Sequence, residues 1–180
     1  MSLKRWELIN SKEEYKTKFF SVEKRTYKLP NGNILDDYYH INRPNFVLVI
    51  AVNSENKILI ERTYRRAMDN LTIELPAGYI DNVETLIEAS LRELKEETGY
   101  TGATTLLGEV YIQPGFINQV AYVVKIIIDE KNIVDIKREA DEDIEIEFLS
   151  MDEINKLIAE NKVKDMSMLS AMNIYEKMKN

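Results

Sequence analysis

Residues 46–52, Phe-Val-Leu-Val-Ile-Ala-Val, form an unbroken apolar run, the pattern of a strand buried on both faces. A polar turn at 53–56 leads into a second apolar stretch, 57–64, which reads as its partner strand. A short strand at 72–75 stops at Pro76. Upstream, residues 19–28 alternate in polarity, and Pro30-Asn31-Gly32 turns the chain into another strand at 34–41. From 82 to 98 the period lengthens. Ile87, Leu91, Leu94 and Thr98 fall on one helical stripe, with Asp81 placed to cap the start and Gly99 to end it. Strands are expected at 104–112, 119–128 and 144–149, and helices at 151–160 and 164–179. Mixed strands with helices on both sides predict a layered α/β (α+β) architecture with an N-terminal antiparallel sheet.

Composition narrows the chemistry. The 180 residues suit one domain with a sizeable core. A net charge of −7 gives a nucleic-acid backbone or an anionic membrane the wrong sign of partner. No cysteine is present, which removes disulfides, thiolate nucleophiles and metal–thiolate sites. One histidine, His40, cannot build a multi-histidine metal site. Neither a signal peptide nor a bilayer-spanning run is evident, so a cytoplasmic location is expected. Carboxylates remain as the groups able to carry chemistry.

They concentrate between Glu74 and Tyr100. On the helix, Glu93 and Glu97 stand one turn apart with Glu96 beside them. Like charges at that spacing, near a helix C-terminus, are penalised twice unless a cation compensates. Hard divalent ions such as Mg²⁺ take oxygen ligands of this kind; a solvated helix face with surface pairs from Arg92 and Lys95 is the plainer alternative. Gly78, Glu84, Arg92, Glu93, Leu94, Glu96, Glu97, Gly99 and Tyr100 satisfy G-x5-E-x7-R-E-U-x-E-E-x-G-U, with U bulky and apolar. Only the aromatic Tyr100 is an unusual choice.

This motif is the Nudix box, and the chain resembles the Nudix hydrolases. The resemblance implies the Nudix fold and a loop–helix–loop that holds Mg²⁺, or Mn²⁺, against a diphosphate. It assigns metal ligation to Glu93, Glu97, Glu96 and the carbonyl of Ala77, and loop-holding roles to Arg92 and Glu84. Outside the box, Ile73–Gly78, Tyr64-Arg65-Arg66 and Pro114-Gly115-Phe116 are similar to segments of the ADP-ribose pyrophosphatase group, with Thr63 replacing a glutamine. That similarity implies a nucleoside diphosphate sugar as substrate, released as AMP and a sugar phosphate. It also implies a homodimer, with residues 1–43 as a strand subdomain for dimerisation and residues 44–180 as the hydrolase domain. Arg65 and Arg43 match positions that contact the substrate. Phe19 and Tyr38 match a base clamp, and the reading as ordinary strand aromatics stands beside it.

One position departs from the group. Gln119 stands where many relatives carry a catalytic glutamate, and an amide cannot accept a proton. Some relatives place that base at the position of Glu142, within the acidic run 139–143; a plain solvated charge run is the competing reading. Failing both, Glu96 or the metal's own water would serve. Alternatives on substrate are a GDP-sugar, FAD or a dinucleotide. A non-catalytic nucleotide-sugar sensor is the alternative on class.

Overall fold

A computed structural model of the chain describes residues 3–131, 133–136 and 143–178. In chain order these form β1 (Glu7–Lys16), β2 (Ser21–Lys28), β3 (Ile34–Asn42), β4 (Phe46–Val52), β5 (Ile58–Arg65), β6 (Asn70–Glu74) and β7 (Ala77–Tyr79). There follow α1 (Leu86–Thr98), β8 (Gly102–Tyr111), β9 (Ile117–Asn118), β10 (Val120–Ile128), β11 (Ile144–Leu149), α2 (Met151–Ala159) and α3 (Met166–Met178). The chain divides into two compact units, residues 1–44 with 111–120, and residues 45–110 with 121–180.

The first unit is a four-stranded sheet in the order β1-β2-β3-β9. The first three strands run antiparallel as a meander, of which β2 and β3 are the hairpin that the alternating polarity predicts, whereas β9 joins β3 in parallel through Ile41 and Asn42. Trp6 packs edge-on against Tyr27, and Tyr27 against Tyr38. His40 bonds Asn42 Oδ1 at 3.0 Å, and burial lowers its pKa.

The second unit holds a seven-stranded mixed sheet, β11-β5-β4-β10-β8, with β6 on β5 and β7 on β4. The apolar run β4 is buried from Val47 onward and pairs in parallel with β10 along its length. Its expected partner β5 meets it only at Val52 and Ile58. The long antiparallel pairings of β5 are with β6 and β11. The three-residue strand β7 was not foreseen, because its pairing with β4 is set by tertiary contact rather than by any periodicity. Val47, Val49, Leu59, Leu94 and Ile126 form the centre of the core.

Helix α1 starts later than the sequence pattern predicts. Thr85, not Asp81, is its N-cap, in a capping box with Glu88. Asp81 and Glu84 make a separate turn, in which Glu84 Oε1 accepts from the Asp81 N–H at 2.8 Å. The buried face is also rotated. Ile87 is 48% exposed, while Ala89, Ser90, Leu94, Glu97 and Thr98 face the core. At the far end Gly99 adopts φ +78°, and its N–H donates to the Lys95 carbonyl. A Cβ there would stand 2.5 Å from the Val134 carbonyl oxygen, a second reason for glycine.

Candidate functional site

The carboxylates of the motif are organised by Arg92. A guanidinium has five N–H donors, and here each finds an acceptor. Nε and Nη2 fork onto Glu84 at 3.0 and 2.7 Å. Nη2 also donates to the Tyr79 carbonyl at 3.0 Å. Nη1 reaches Glu93 Oε1 at 2.8 Å and Glu96 Oε2 at 3.2 Å. One cation thus ties the 81–84 turn, strand β7 and two turns of helix together. The bond from Arg92 holds the Glu84 carboxyl below its usual range, and the same bond raises the guanidinium further from neutrality.

Glu93 lies directly on the backbone of β7. A Cβ on Gly78 would overlap the Glu93 carboxyl carbon and both its oxygens, so the absence of a side chain at 78 makes room for this carboxylate beside Ala77. Glu97, one turn on, is only 6% exposed. Among the described residues, no three His, Asp or Glu side chains gather in an arrangement that could hold a metal ion; Glu93 and Glu96 are instead drawn to Arg92 Nη1.

A second polar stripe runs along β5 and β6. Glu61, Thr63 and Arg65 share one face, opposite Glu74, Thr72 and Asn70. Arg65 reaches back along the stripe and forks onto Glu74, at 2.9 Å from Nε and 2.6 Å from Nη2. Thr72 donates to Glu74 Oε1 at 2.6 Å. Burial pushes the Glu74 carboxyl up, but the bonds from Arg65 and Thr72 outweigh it and hold the group below the usual carboxylate range. Glu74 was not singled out from sequence. Its signal was its place two residues before Pro76, on the face that Arg65 shares.

In the first unit, Phe19 and Arg43 line one shallow depression of about 210 Å³, together with Lys16 and Lys18. Tyr38 is placed elsewhere, its hydroxyl donating to the Gly115 carbonyl. Gln119 is 4% exposed, and its Nε2 donates to the Pro44 carbonyl at 2.6 Å. That bond requires an N–H donor, which an ionised glutamate lacks. Glu142 lies outside the described residues.

A family model described as NUDIX domain matches residues 42–169. The chain belongs to the NUDIX family. It is 33% identical over 141 residues to "ADP-ribose pyrophosphatase" of Bacillus subtilis, covering 77% of this chain and 75% of that one. It is 32% identical, with the same coverage, to "Methanol dehydrogenase activator" of Bacillus methanolicus. A crystal structure of an ADP compounds hydrolase shares the fold, with TM-score 0.84 at 20% identity over 99% of this chain and 96% of that one. This is therefore a Nudix hydrolase related to ADP-ribose pyrophosphatases, with the mixed α+β Nudix fold and a hydrolase's action on pyrophosphate bonds. No helix among the described residues is long and apolar enough to cross a membrane.

Nudix hydrolases generally use divalent metals. The oxygen chemistry of Glu93, Glu96 and Glu97 is of the kind such ions take, and the missing side chain of Gly78 leaves the Glu93 carboxylate against the loop backbone, although the described side chains are not gathered into a metal-holding cluster.

Proposed function

We propose that this Nudix hydrolase cleaves ADP-ribose, or a similar nucleoside diphosphate sugar, to AMP and a sugar phosphate, as a homodimer dependent on Mg²⁺ or Mn²⁺. What carries the reading is the Glu93 carboxylate laid against Gly78 and tied, with Glu84 and Glu96, to one guanidinium. The printed name of the Bacillus subtilis relative supports the choice of substrate.

Glu93, Glu96, Glu97 and the Ala77 carbonyl would hold the cation, while Arg92 and Glu84 fix the loop and helix that present them. A cation held there would supply charge to neutralise diphosphate oxygens and to acidify a water. Arg65 supplies positive charge toward the diphosphate, oriented by its fork on Glu74. Arg43 binds the nucleotide beside Phe19, which provides aromatic surface for the base; Tyr38, in the same unit but outside that depression, is the second residue proposed for the clamp. Glu142 is the proposed general base, with Glu96 as its substitute. Residues 1–43 serve dimerisation, and residues 44–180 the hydrolysis. The partners are small molecules, not nucleic acid or membrane, and the acidic chain works in the cytoplasm.

An aromatic surface accepts any purine, so a GDP-sugar, FAD or a dinucleotide is the second reading on substrate. The sensor reading rested on the missing glutamate at 119. The hydrogen bond from the Gln119 amide to the Pro44 carbonyl gives that residue a structural role and weakens the argument for a sensor.

The test is hydrolysis of ADP-ribose, ADP-glucose, GDP-mannose, FAD and diadenosine polyphosphates with Mg²⁺, beside a Glu97→Gln control. Release of AMP from ADP-ribose, abolished in the control, supports the reading; turnover of another compound replaces the substrate. Glu142→Gln is expected to slow turnover by ~10²-fold or more, and an effect within a few-fold removes it as the base. Light scattering at the 21.0 kDa mass of one chain would remove the homodimer.

A further inference from the structure

The depression at Lys16, Lys18, Phe19 and Arg43 carries more positive charge than a neutral base and ribose call for. Among the described residues its lining holds Lys16, Lys18 and Arg43 and no carboxylate, on a chain whose net charge is −7. Two acids of the flanking strands have partners of their own, Lys16 among them. Glu23 accepts from Ser11, Arg25 and Asn42. Glu13 meets Lys16 at 3.5 Å, with the two side chains 49% and 68% exposed, a contact of little strength.

The backbone that carries the lysines is also held in place. Between β1 and β2 the chain reverses through Thr17, whose Oγ1 accepts from the N–H groups of Phe19 and Phe20, both at 3.1 Å, while its own N–H donates to the Phe20 carbonyl at 2.9 Å. This turn fixes the roots of Lys16 and Lys18 on either side of Thr17. Lys18 Nζ stands 4.7 Å from the centre of the Phe19 ring. The ammonium thus covers one face of the exposed ring, and a base would stack on the other. A ribose joined to that base brings its hydroxyl positions within reach of a four-carbon lysine stem.

We propose that this depression recognises a nucleoside bearing a phosphomonoester on its ribose, at the 2′ or 3′ position, in addition to its 5′-phosphate. Lys16 and Lys18 bind the extra phosphate as two mobile point charges, and Phe19 takes the base. The inference deepens the proposed substrate class and rests on Phe19 as the base-stacking residue. It does not require that ADP-ribose itself be hydrolysed.

Isothermal titration of the full-length chain with 5′-AMP, adenosine 2′,5′-bisphosphate and adenosine 3′,5′-bisphosphate tests it without using turnover. One of the bisphosphates should bind about tenfold tighter than AMP, as two solvent-exposed charge contacts can supply. Which one does so identifies the ribose position, and the margin should shrink as salt is raised. Lys16→Ala with Lys18→Ala should reduce the margin to about threefold or less, and Lys16→Arg with Lys18→Arg should restore it. All four substitutions are at exposed positions, and an unchanged melting temperature confirms that the fold is kept. Equal binding of all three nucleotides, or a margin that survives the double alanine variant, overturns the proposal. ADP-ribose left uncleaved while a bisphosphate binds tightly would remove the proposed substrate and keep this site.

Discussion

Replacing Arg92 by lysine keeps the charge but takes away two of five donors and the planar fork. Glu84 is the acceptor that suffers most, since it receives two bonds and its side chain is only 14% exposed. The Glu96 arm is longer, at 3.2 Å, and that side chain is 43% exposed, so solvent screens it. A buried charge-assisted bond contributes ~1.5–3 kcal/mol and an exposed pair ~0.2–1 kcal/mol. The half-buried fork falls between, which sets the expected loss for Arg92→Lys at about 1–2 kcal/mol. For a chain of this size that lowers Tm by roughly 2–8 °C.

The loss is assigned by a double-mutant cycle with Glu84→Gln, followed by denaturant unfolding. The coupling energy should reach about 1 kcal/mol at pH 7. Its pH dependence has a definite sign. The Arg92 bond depresses the Glu84 pKa in the folded state, so the stabilisation is complete above the unfolded value near ~4.3 and disappears as pH falls through the folded one. The coupling must therefore decline below about pH 4. A coupling within about 0.3 kcal/mol of zero at pH 7, or one that grows on acidification, would refute the assignment of the fork as the contact that holds loop to helix.

Gly78→Ala should leave Tm within a few degrees, because the group it displaces is the flexible end of Glu93, yet reduce kcat/KM by about 10²-fold as that carboxylate leaves the loop; near-normal turnover would show that Glu93 works from another position. Gly102→Ala is the opposite case. Its Cβ would run into the backbone of Ile127 rather than a side chain, so a Tm drop of many degrees is expected, and a mild effect would mean that β8 and β10 separate easily. Gln119→Glu should destabilise the chain by about 1–3 kcal/mol at pH 7, as a carboxylate faces the Pro44 carbonyl without a proton to share. The penalty should fall at pH 4, where the carboxyl can be protonated and donate; higher turnover at unchanged stability would instead make position 119 a base site.

The two sheets and three helices were legible because their apolar periods are long and their turns carry Gly, Pro and Asn. Residues 46–52 coincide with β4, and residues 144–149 with β11. What the periods could not carry was pairing. The partner of β4 along its length is β10, some seventy residues away in sequence, and it lies in parallel, a choice made by packing rather than local pattern. The start of α1 was misplaced because Asp81 and Glu84 form the same D-x-x-E pattern as a helix cap; the Thr85–Glu88 box behind them competes successfully, and Arg92 takes Glu84 into its own fork. The carboxylates of the motif announce themselves by their spacing, whereas Glu74 does not, because a carboxylate on a short strand has no spacing rule to mark it.

The fixed spacing of the Nudix box can be read as a set of reciprocal contacts. Gly78 must lack a side chain because Glu93 lies on it, and a residue fifteen positions away is brought there only if the intervening turn has a set length. Glu84 secures that length by closing on the Asp81 N–H on one side and on Arg92 on the other. Gly99 ends the helix one turn after Lys95, so that the segment containing Val134 can cross against it. Tyr100, the one loose fit to the pattern, follows the same logic. Its ring packs edge-on against Phe148 of β11 at 5.7 Å, beside the core that Leu94 and Ala89 enter from α1. An aliphatic side chain could fill that space, but an aromatic pair fills it with a preferred geometry. Thus even the exception is set by a partner elsewhere in the fold, and the motif constrains the chain at every position where one element must meet another.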